Sequence, residues 1–492
     1  MHALLIAEST PKLMRLASFA RTAVPELHWR TATTGAFTRT VDRFDTRSMR
    51  ATFKTKHKLQ MNRIVALASD VDAVYLATDP TGRGELLASD VADHILDRYP
   101  DRQIHRLRVV RMTSEAFRSA YDNNDIIDRR QAGAMRVSRI INYLVSTRVE
   151  ALTGKSSGRA VLPLLGLVAR LERPGQARVR LRLGSGVCFE SDFYAEQVVA
   201  NVFERVRVEV PSFRRSEVEA ELAPPELYDT WRLQQDGCRI LGARAIEVAS
   251  QVEQLYHGGY VARGYRVDDS YIETARNELR AFGDEPAATL PERLVGIVPT
   301  NLRCLPSDVP KPVRPVYRLV WSNTLCAFGR TMRVSRETAA FTVDGVRFQA
   351  ESIIPLSRGF DRVSFGLFYR RGHIVQSQCV DEARMFGSGP FEHELLASLR
   401  LRLQNPALAV KAAENIGYIG FDGPEVTVLE WGRSCLEAVE RTVPQLLDTD
   451  LFDAVERYLD SDRDPQELVE PWSRWADAVS KAVKKKAVAY LR

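Results

Sequence analysis

Residues 73–88 read AVYLATDPTGRGELLA, and this stretch constrains the fold more than any other. Its first half is an unbroken apolar run rich in Val, Tyr and Leu, the mark of a strand buried on both faces. The run stops at Asp79-Pro80, and Thr81-Gly82-Arg83-Gly84 follows as a loop. Glu85 then opens a helical pattern with Leu86, Leu87, Val91 and Ile95 on one side. A carboxylate at a strand tip, beside a glycine loop and a helix start, is where α/β proteins commonly hold a metal or a phosphate. The N-terminus repeats the arrangement. A short apolar run over 2–7 is followed by Glu8-Ser9-Thr10-Pro11-Lys12 and a helix extending through residue 20.

Composition sets the class. The 492 residues are 45% hydrophobic and 27% charged, which is ordinary for a globular chain and long enough for several domains. No apolar run is long enough to span a bilayer, and Glu8 interrupts the N-terminal apolar stretch, so neither a membrane partner nor a signal peptide is expected. A net charge of +6 permits a nucleic-acid partner without requiring one. The six cysteines are scattered with no Cys-x-x-Cys pair, which excludes a zinc ribbon or a redox dithiol built on that motif. Scattered thiols favour a cytoplasmic, nucleoid-associated location.

The segments IAESTPK and LATDPTGRGE together resemble the two signatures of the TOPRIM domain of type IA DNA topoisomerases. In that family the second segment reads TDPDREGE, and its carboxylates hold magnesium. Asp79 and Glu85 stand where the family has Asp and Glu. Thr81 stands where the family has its second metal-binding Asp, and Arg83 where it has Glu. The resemblance therefore implies a reduced magnesium site of Glu8, Asp79 and Glu85. Two lost carboxylates and one added guanidinium argue against that site, since magnesium wants hard oxygen ligands. Arg83 either pairs with Glu8 or Asp79 in the cation's place or points into solvent. Lys12 is implied as a cation near a scissile phosphate.

Further segments extend the resemblance over nearly the whole chain. Ser156-Ser157-Gly158-Arg159-Ala160-Val161 resembles the family's Ser-Ala-Gly-Arg-Val-Gln-Ser, which starts a helix lining a single-strand groove and makes Arg159 a phosphate contact. Leu233-Gln234-Gln235, Leu241-Gly242 and Leu255-Tyr256 keep the family's spacing. The next family segment, Gly-Tyr-Ile-Thr-Tyr-x-Arg, carries the tyrosine that attacks a DNA phosphate to form a covalent ester. Here the text is Gly259-Tyr260-Val261-Ala262-Arg263-Gly264-Tyr265-Arg266, one residue longer. Counting from the front puts Arg263 at the nucleophile's place. Counting from the back puts Gly264 there. A one-residue slip turns a strand side chain to the other face, so Tyr265 serves as nucleophile, with Arg266 as phosphate anchor, only if Gly264 lets the backbone bulge. Otherwise Tyr265 packs or stacks on a base. The family's downstream His-x-Ala-Ile-Arg is replaced by the aliphatic Leu294-Val295-Gly296-Ile297-Val298.

Arg136 and Arg139, on a helical stretch over 130–150, are either solvated or phosphate contacts, and Arg263 is a further DNA-contact candidate. Lys54, Lys56, His57 and Lys58 cluster in a polar segment over 31–58, expected either as a solvated loop and helix start or as a contact with a DNA backbone. Strands are expected at 109–112, across 177–221, and at 337–354 and 362–378. A helical stretch is expected over 446–483, with Trp472 and Trp475 as core residues. Lys484, Lys485 and Lys486 form a solvated or DNA-facing tail.

The implied fold is a multidomain α/β and β torus. Its parts are an N-terminal TOPRIM domain over 1–155, a helical DNA-groove domain over 156–175 and 389–492, an interleaved β arch over 176–223 and 316–388, and a domain over 224–315 that would carry the nucleophile. The implied partner is single-stranded DNA, with a DNA-processing protein as a second partner. Two functions stand open. One is a catalytically degenerate toroidal clamp or subunit of a DNA-processing complex. The other is a diverged active topoisomerase that cleaves and rejoins one strand.

Overall fold

The computed structural model describes residues 1–490 apart from 36, 293, 365–366, 369–372, 376 and 400–404, with backbone alone over 482–490. Lys484, Lys485 and Lys486 have side chains outside the described residues.

Four parallel strands open the chain, in the order His28–Thr33, His2–Ala7, Ala73–Leu76 and Gln103–Arg106. Apolar residues continue without alternation because both faces are covered. Leu5, Ala7 and Tyr75 face a core shared with residues from 227 to 363, while Leu4, Ile6, Val74 and Leu76 face helices that supply Ile64, Val91 and Ile95. The two central strands run in the same direction, so Glu8 and the segment 77–79 leave the sheet at the same edge.

The helix after the second central strand spans Gly82–Leu96, three residues ahead of the start expected at Glu85. Thr81 Oγ1 accepts the Gly84 amide at 3.2 Å, and this cap draws the glycines into the first turn. Gly84 is required there: a Cβ would lie 1.9 Å from the Asp79 carbonyl oxygen.

Three expectations need correction. The segment 31–58 holds an exposed antiparallel hairpin, Thr38–Asp45 with Arg50–Lys56, in place of a loop. The last strand of the sheet is Gln103–Arg106. Residues 109–112 come after it without ladder partners, although Val109 and Met112 are buried. The stretch 177–221 is interrupted by the helix Glu196–Val206, which buries Val199, Val202 and Val206 at helical spacing.

A second core gathers Val137, Ile141, Leu144 and Val149 of the helix Arg129–Thr153, the apolar helix Val161–Leu171, and helices from 392 onward. Trp472 and Trp475 pack against it, 5.3 Å apart and edge to face. The C-terminal stretch is two helices, Thr449–Asp460 and Val469–Tyr490, with a short 3-10 turn between them.

The third core lies under a sheet ordered Arg214–Leu222, Met332–Val343, Val346–Pro355, Cys188–Ser191, Gln176–Leu183 and Val380–Phe386, with Tyr194–Ala195 beside Gln176–Leu183. Strands from two distant segments thus interleave in one sheet. The region 362–378 lies partly outside the described residues. Its described start belongs to a helical turn, Asp361–Ser364, and the strand comes at Val380–Phe386.

Residues between those segments close against the helical part. Arg244 stacks on Phe421 at 3.2 Å and pairs with Glu392 at 3.1 Å and Glu414 at 3.4 Å. Gln234 donates to Asn405 Oδ1 at 2.7 Å and accepts the Ala407 amide at 3.0 Å. All six cysteines are free thiols. No helix among the described residues is long and apolar enough to cross a membrane.

Candidate active site

The sheet edge where Glu8 and Asp79 emerge carries the densest group of charges. Lys12 lies one turn into the helix Thr10–Ala23, and its ammonium reaches Glu8 Oε1 at 2.9 Å and Asp79 Oδ1 at 2.7 Å. Its side chain has no exposed surface. Burial raises the Glu8 carboxyl to about 7, with the Asp79 charge adding to the effect and Lys12 opposing it. Burial acts the same way on Asp79, but there Lys12 prevails and the carboxyl falls well below its usual range. Burial disfavours the Lys12 ammonium, yet Tyr256, Glu8 and Asp79 outweigh it and hold the ammonium charged. Among the described residues, Glu8 Oε2 and Ser9 Oγ are buried without a hydrogen-bond partner.

Across the sheet edge stand Tyr256, His257 and Arg263. Lys12 lies 5.9 Å and Arg263 5.4 Å from the centre of the Tyr256 ring. Arg263 pairs with Glu253, and its charge also helps lower Asp79. The Tyr256 hydroxyl is buried, donates to the Val109 carbonyl at 3.3 Å, and is pushed up to about 12, chiefly by burial. Burial lowers His257.

The extra residue found in the sequence is absorbed by a bulge. In the strand pair Val261–Arg266 and Val295–Pro299, Ala262 pairs with Val298 and Tyr265 with Gly296, which leaves Arg263 and Gly264 together opposite Ile297. Gly264 has φ +62°, a conformation that favours glycine. The bulge does not bring Tyr265 to the charged cluster. Its hydroxyl donates to Asp268 Oδ2 at 2.6 Å, the Arg111 guanidinium lies 4.7 Å from its ring centre, and Tyr271 meets it edge-on. Burial and the Asp268 bond push this phenol up to about 12. Arg266, the next residue, is exposed and lines the same cavity as Tyr265.

The other sequence candidates fall elsewhere. Glu85 turns away from Glu8 and Asp79. It is buried and accepts Arg106 Nε at 3.0 Å, Arg108 Nε at 3.1 Å and the Asp128 amide at 3.1 Å. Arg136 and Arg139 reach the buried Asp90 at 3.0 and 3.5 Å and tie two helices together. Arg159 is buried, bonded to Ser138 Oγ at 2.8 Å and paired with Glu456 at 2.5 Å beneath the helix Thr449–Asp460. Arg83 is exposed and makes no ion pair with Glu8 or Asp79.

Magnesium does not fit this arrangement of donors. Lys12 stands between two of the three expected carboxylates, Glu85 is taken by two arginines, and Thr81 is taken by its cap. Among the described residues, no group of three or more His, Cys, Asp or Glu is placed to hold a metal.

Comparison with solved structures finds full-length topoisomerase I from Thermotoga maritima, with TM-score 0.67 and 19% identity, covering 98% of this chain and 90% of that one. DNA topoisomerase 1 of Campylobacter jejuni is 21% identical over 86% of this chain and 69% of its own length. The chain is related to the type IA DNA topoisomerases. The plasmid DNA topoisomerase I of Xylella fastidiosa is 26% identical over 42% of this chain, and the reverse gyrase of Methanocaldococcus jannaschii 26% over 44%. This topoisomerase relative spans 35% of the Xylella protein and 14% of the reverse gyrase. No protein-family model matches it. The fold is that of the type IA torus.

Three residues of this topoisomerase relative escaped the sequence reading. Arg106 sits fully buried in a short polar strand, bonds Glu85 through Nε, and donates from Nη1 to the carbonyls of Leu76, Thr78 and Leu107 and from Nη2 to that of Asp79. It thereby fixes the backbone that presents Asp79. Tyr256 and His257 end a helix whose pattern read only as scaffold. The available signal for Arg106 was a pair of arginines, Arg106 and Arg108, alternating into the apolar run HRLRVV.

Proposed function

We propose that this type IA topoisomerase-like protein binds single-stranded DNA within its ring and does not cut it through Tyr265, acting as a toroidal clamp or a subunit of a DNA-processing complex. The observation that carries this reading is the exchange at the bulge: Arg263 stands beside the Glu8–Lys12–Asp79 cluster, and the Tyr265 hydroxyl is engaged by Asp268. A phenol raised to about 12 and aimed at a carboxylate is poorly prepared to attack a phosphate. A cluster already neutralised by a buried ammonium has no open position for a second cation. On this reading residues 1–155 form the TOPRIM unit, 224–315 the unit that carries Tyr265, and the arch and helical parts the frame of the ring.

Plasmid relaxation with magnesium, together with denaturant trapping of a covalent DNA adduct, tests it. The expected result is binding of a single-stranded oligonucleotide in low salt with neither relaxation nor adduct. An adduct that disappears in Tyr265→Phe overturns the reading. That outcome would favour the second reading, an active enzyme, which the near-neutral Glu8 carboxyl supports as a proton donor or acceptor.

A further inference from the structure

Tyr265 and Arg266 line a cavity of about 700 Å³ between the bulged strand and the segment from Arg106 to Asp125. It is separate from the Glu8–Lys12–Asp79 cluster, which Arg263 faces from the same strand. Four arginines line it, Arg106, Arg108, Arg111 and Arg266, against two carboxylates, Glu115 and Asp125. Their engagements differ. Arg106 and Arg108 are held by Glu85, and Arg108 is also paired with Asp125. Arg111 and Arg266 make no ion pair among the described residues. Asp268, a third carboxylate near Arg111, is occupied by the Tyr265 hydroxyl, Ser270 and the Tyr271 amide, and Glu115 makes no ion pair among the described residues. The cavity therefore presents two guanidinium groups without an ion-pair partner among the described residues, one of which, Arg111, lies over the Tyr265 ring.

That combination suits a phosphodiester with an adjoining base. Guanidinium forks match phosphate oxygens, and a ring face stacks on any base without reading its identity. We infer that this cavity binds one backbone phosphate of a single DNA strand through Arg111 and Arg266, with the neighbouring base stacked on Tyr265. The one-residue insertion that removed the tyrosine from the charged cluster thus moved it into a holding site. In this arrangement the Arg111 guanidinium covers the ring, and the incoming base takes its place as Arg111 turns to the phosphate. The inference rests on the single-strand binding proposed above and adds where one nucleotide sits.

The test is fluorescence anisotropy of the full chain with labelled dT20 across a salt series, beside an abasic oligonucleotide of equal length and inorganic phosphate as competitor. Each phosphate contact contributes about 0.7 to the slope of log K against log salt for single strands. Arg111→Gln and Arg266→Gln are each expected to lower affinity about fivefold to tenfold and to cut the slope by about that amount. Arg111→Lys keeps the slope. Tyr265→Leu weakens dT20 and leaves the abasic strand unchanged. Melting curves confirm that each variant is folded. Wild-type binding of dT20 with unchanged slopes in both Gln variants overturns this inference alone. Absence of wild-type binding overturns the proposed function as well. Competition by millimolar inorganic phosphate that is equal in wild type and Arg111→Gln also overturns the inference.

Discussion

Glu8→Gln tests the electrostatics of the charged cluster directly. The Glu8 carboxyl is raised from 4.5 to about 7, so the folded chain holds that proton more tightly than the unfolded chain. A group raised on folding supports the fold fully below its unfolded value and loses that support as pH climbs through the folded value. The interval from 4.5 to about 7 corresponds to about 3 kcal/mol lost by the wild type between those pH values. Glutamine keeps the neutral shape and never ionises. It also withdraws one charged partner from Lys12, which takes back part of the gain. The expected net effect is stabilisation by about 1–3 kcal/mol at pH 8, shrinking through pH 7 and gone near pH 4.5. Denaturant unfolding followed by tryptophan fluorescence from pH 5 to 9 reads this, since Trp29 packs against Tyr75 in the same sheet with ring centres 5.2 Å apart. A variant no more stable than wild type at pH 8, or one whose advantage grows as pH falls, would show that burial is not what governs Glu8.

Lys12→Met strands two carboxylates in a buried place and should cost about 3–5 kcal/mol at pH 7 by chemical denaturation. With the ammonium gone, the same variant should gain a magnesium-dependent rise in melting temperature that the wild type lacks. Arg106→Leu removes one of the two guanidinium groups that hold the buried Glu85, and the donor to four carbonyls, and should cost a similar amount, and Arg106→Lys should fail to rescue it because an ammonium cannot reproduce the planar fork. Gly264→Ala meets open space but keeps a left-handed backbone, so melting should show a loss of only about 1–2 kcal/mol, whereas Gly84→Ala collides with the Asp79 carbonyl and should unseat the loop.

Legibility in the sequence tracks the range of the interactions. Glu8, Lys12 and Asp79 were readable because each sits within a few residues of a strand end, and parallel pairing of neighbouring strands then brings them together. Glu85 belonged to the same motif yet serves a different end. Its partners Arg106 and Arg108 are 21 and 23 positions away, at the end of and just beyond a strand that was expected six residues later. Arg159 matched a DNA-contacting turn, but its acid partner Glu456 comes from a helix near the far end of the chain. The hairpin over 38–56 was hidden because threonines and charged residues dominate its strands, with Val41, Phe44, Ala51 and Phe53 as the few apolar residues, all half-buried. The helix Glu196–Val206 was hidden for the opposite reason. Its valines, with spacing three and then four, sit among strands rich in the same residue. The bulge at Gly264 was legible as a requirement, but not the direction in which it would send Tyr265.

The interleaved sheet has a consequence for how the chain is made. Gln176–Leu183 pairs with Val380–Phe386, so the first strand leaves the ribosome roughly 200 residues before its neighbour exists. At 5–20 residues per second that is about 10–40 s with an open backbone ladder. Until then its cover comes from elements close by in the chain: the short strand Cys188–Ser191 beside it and the helix Glu196–Val206 packed beneath. Synthesis should therefore hold this sheet open through that interval in a state that invites mispairing with other chains, until Val380–Phe386 closes its edge.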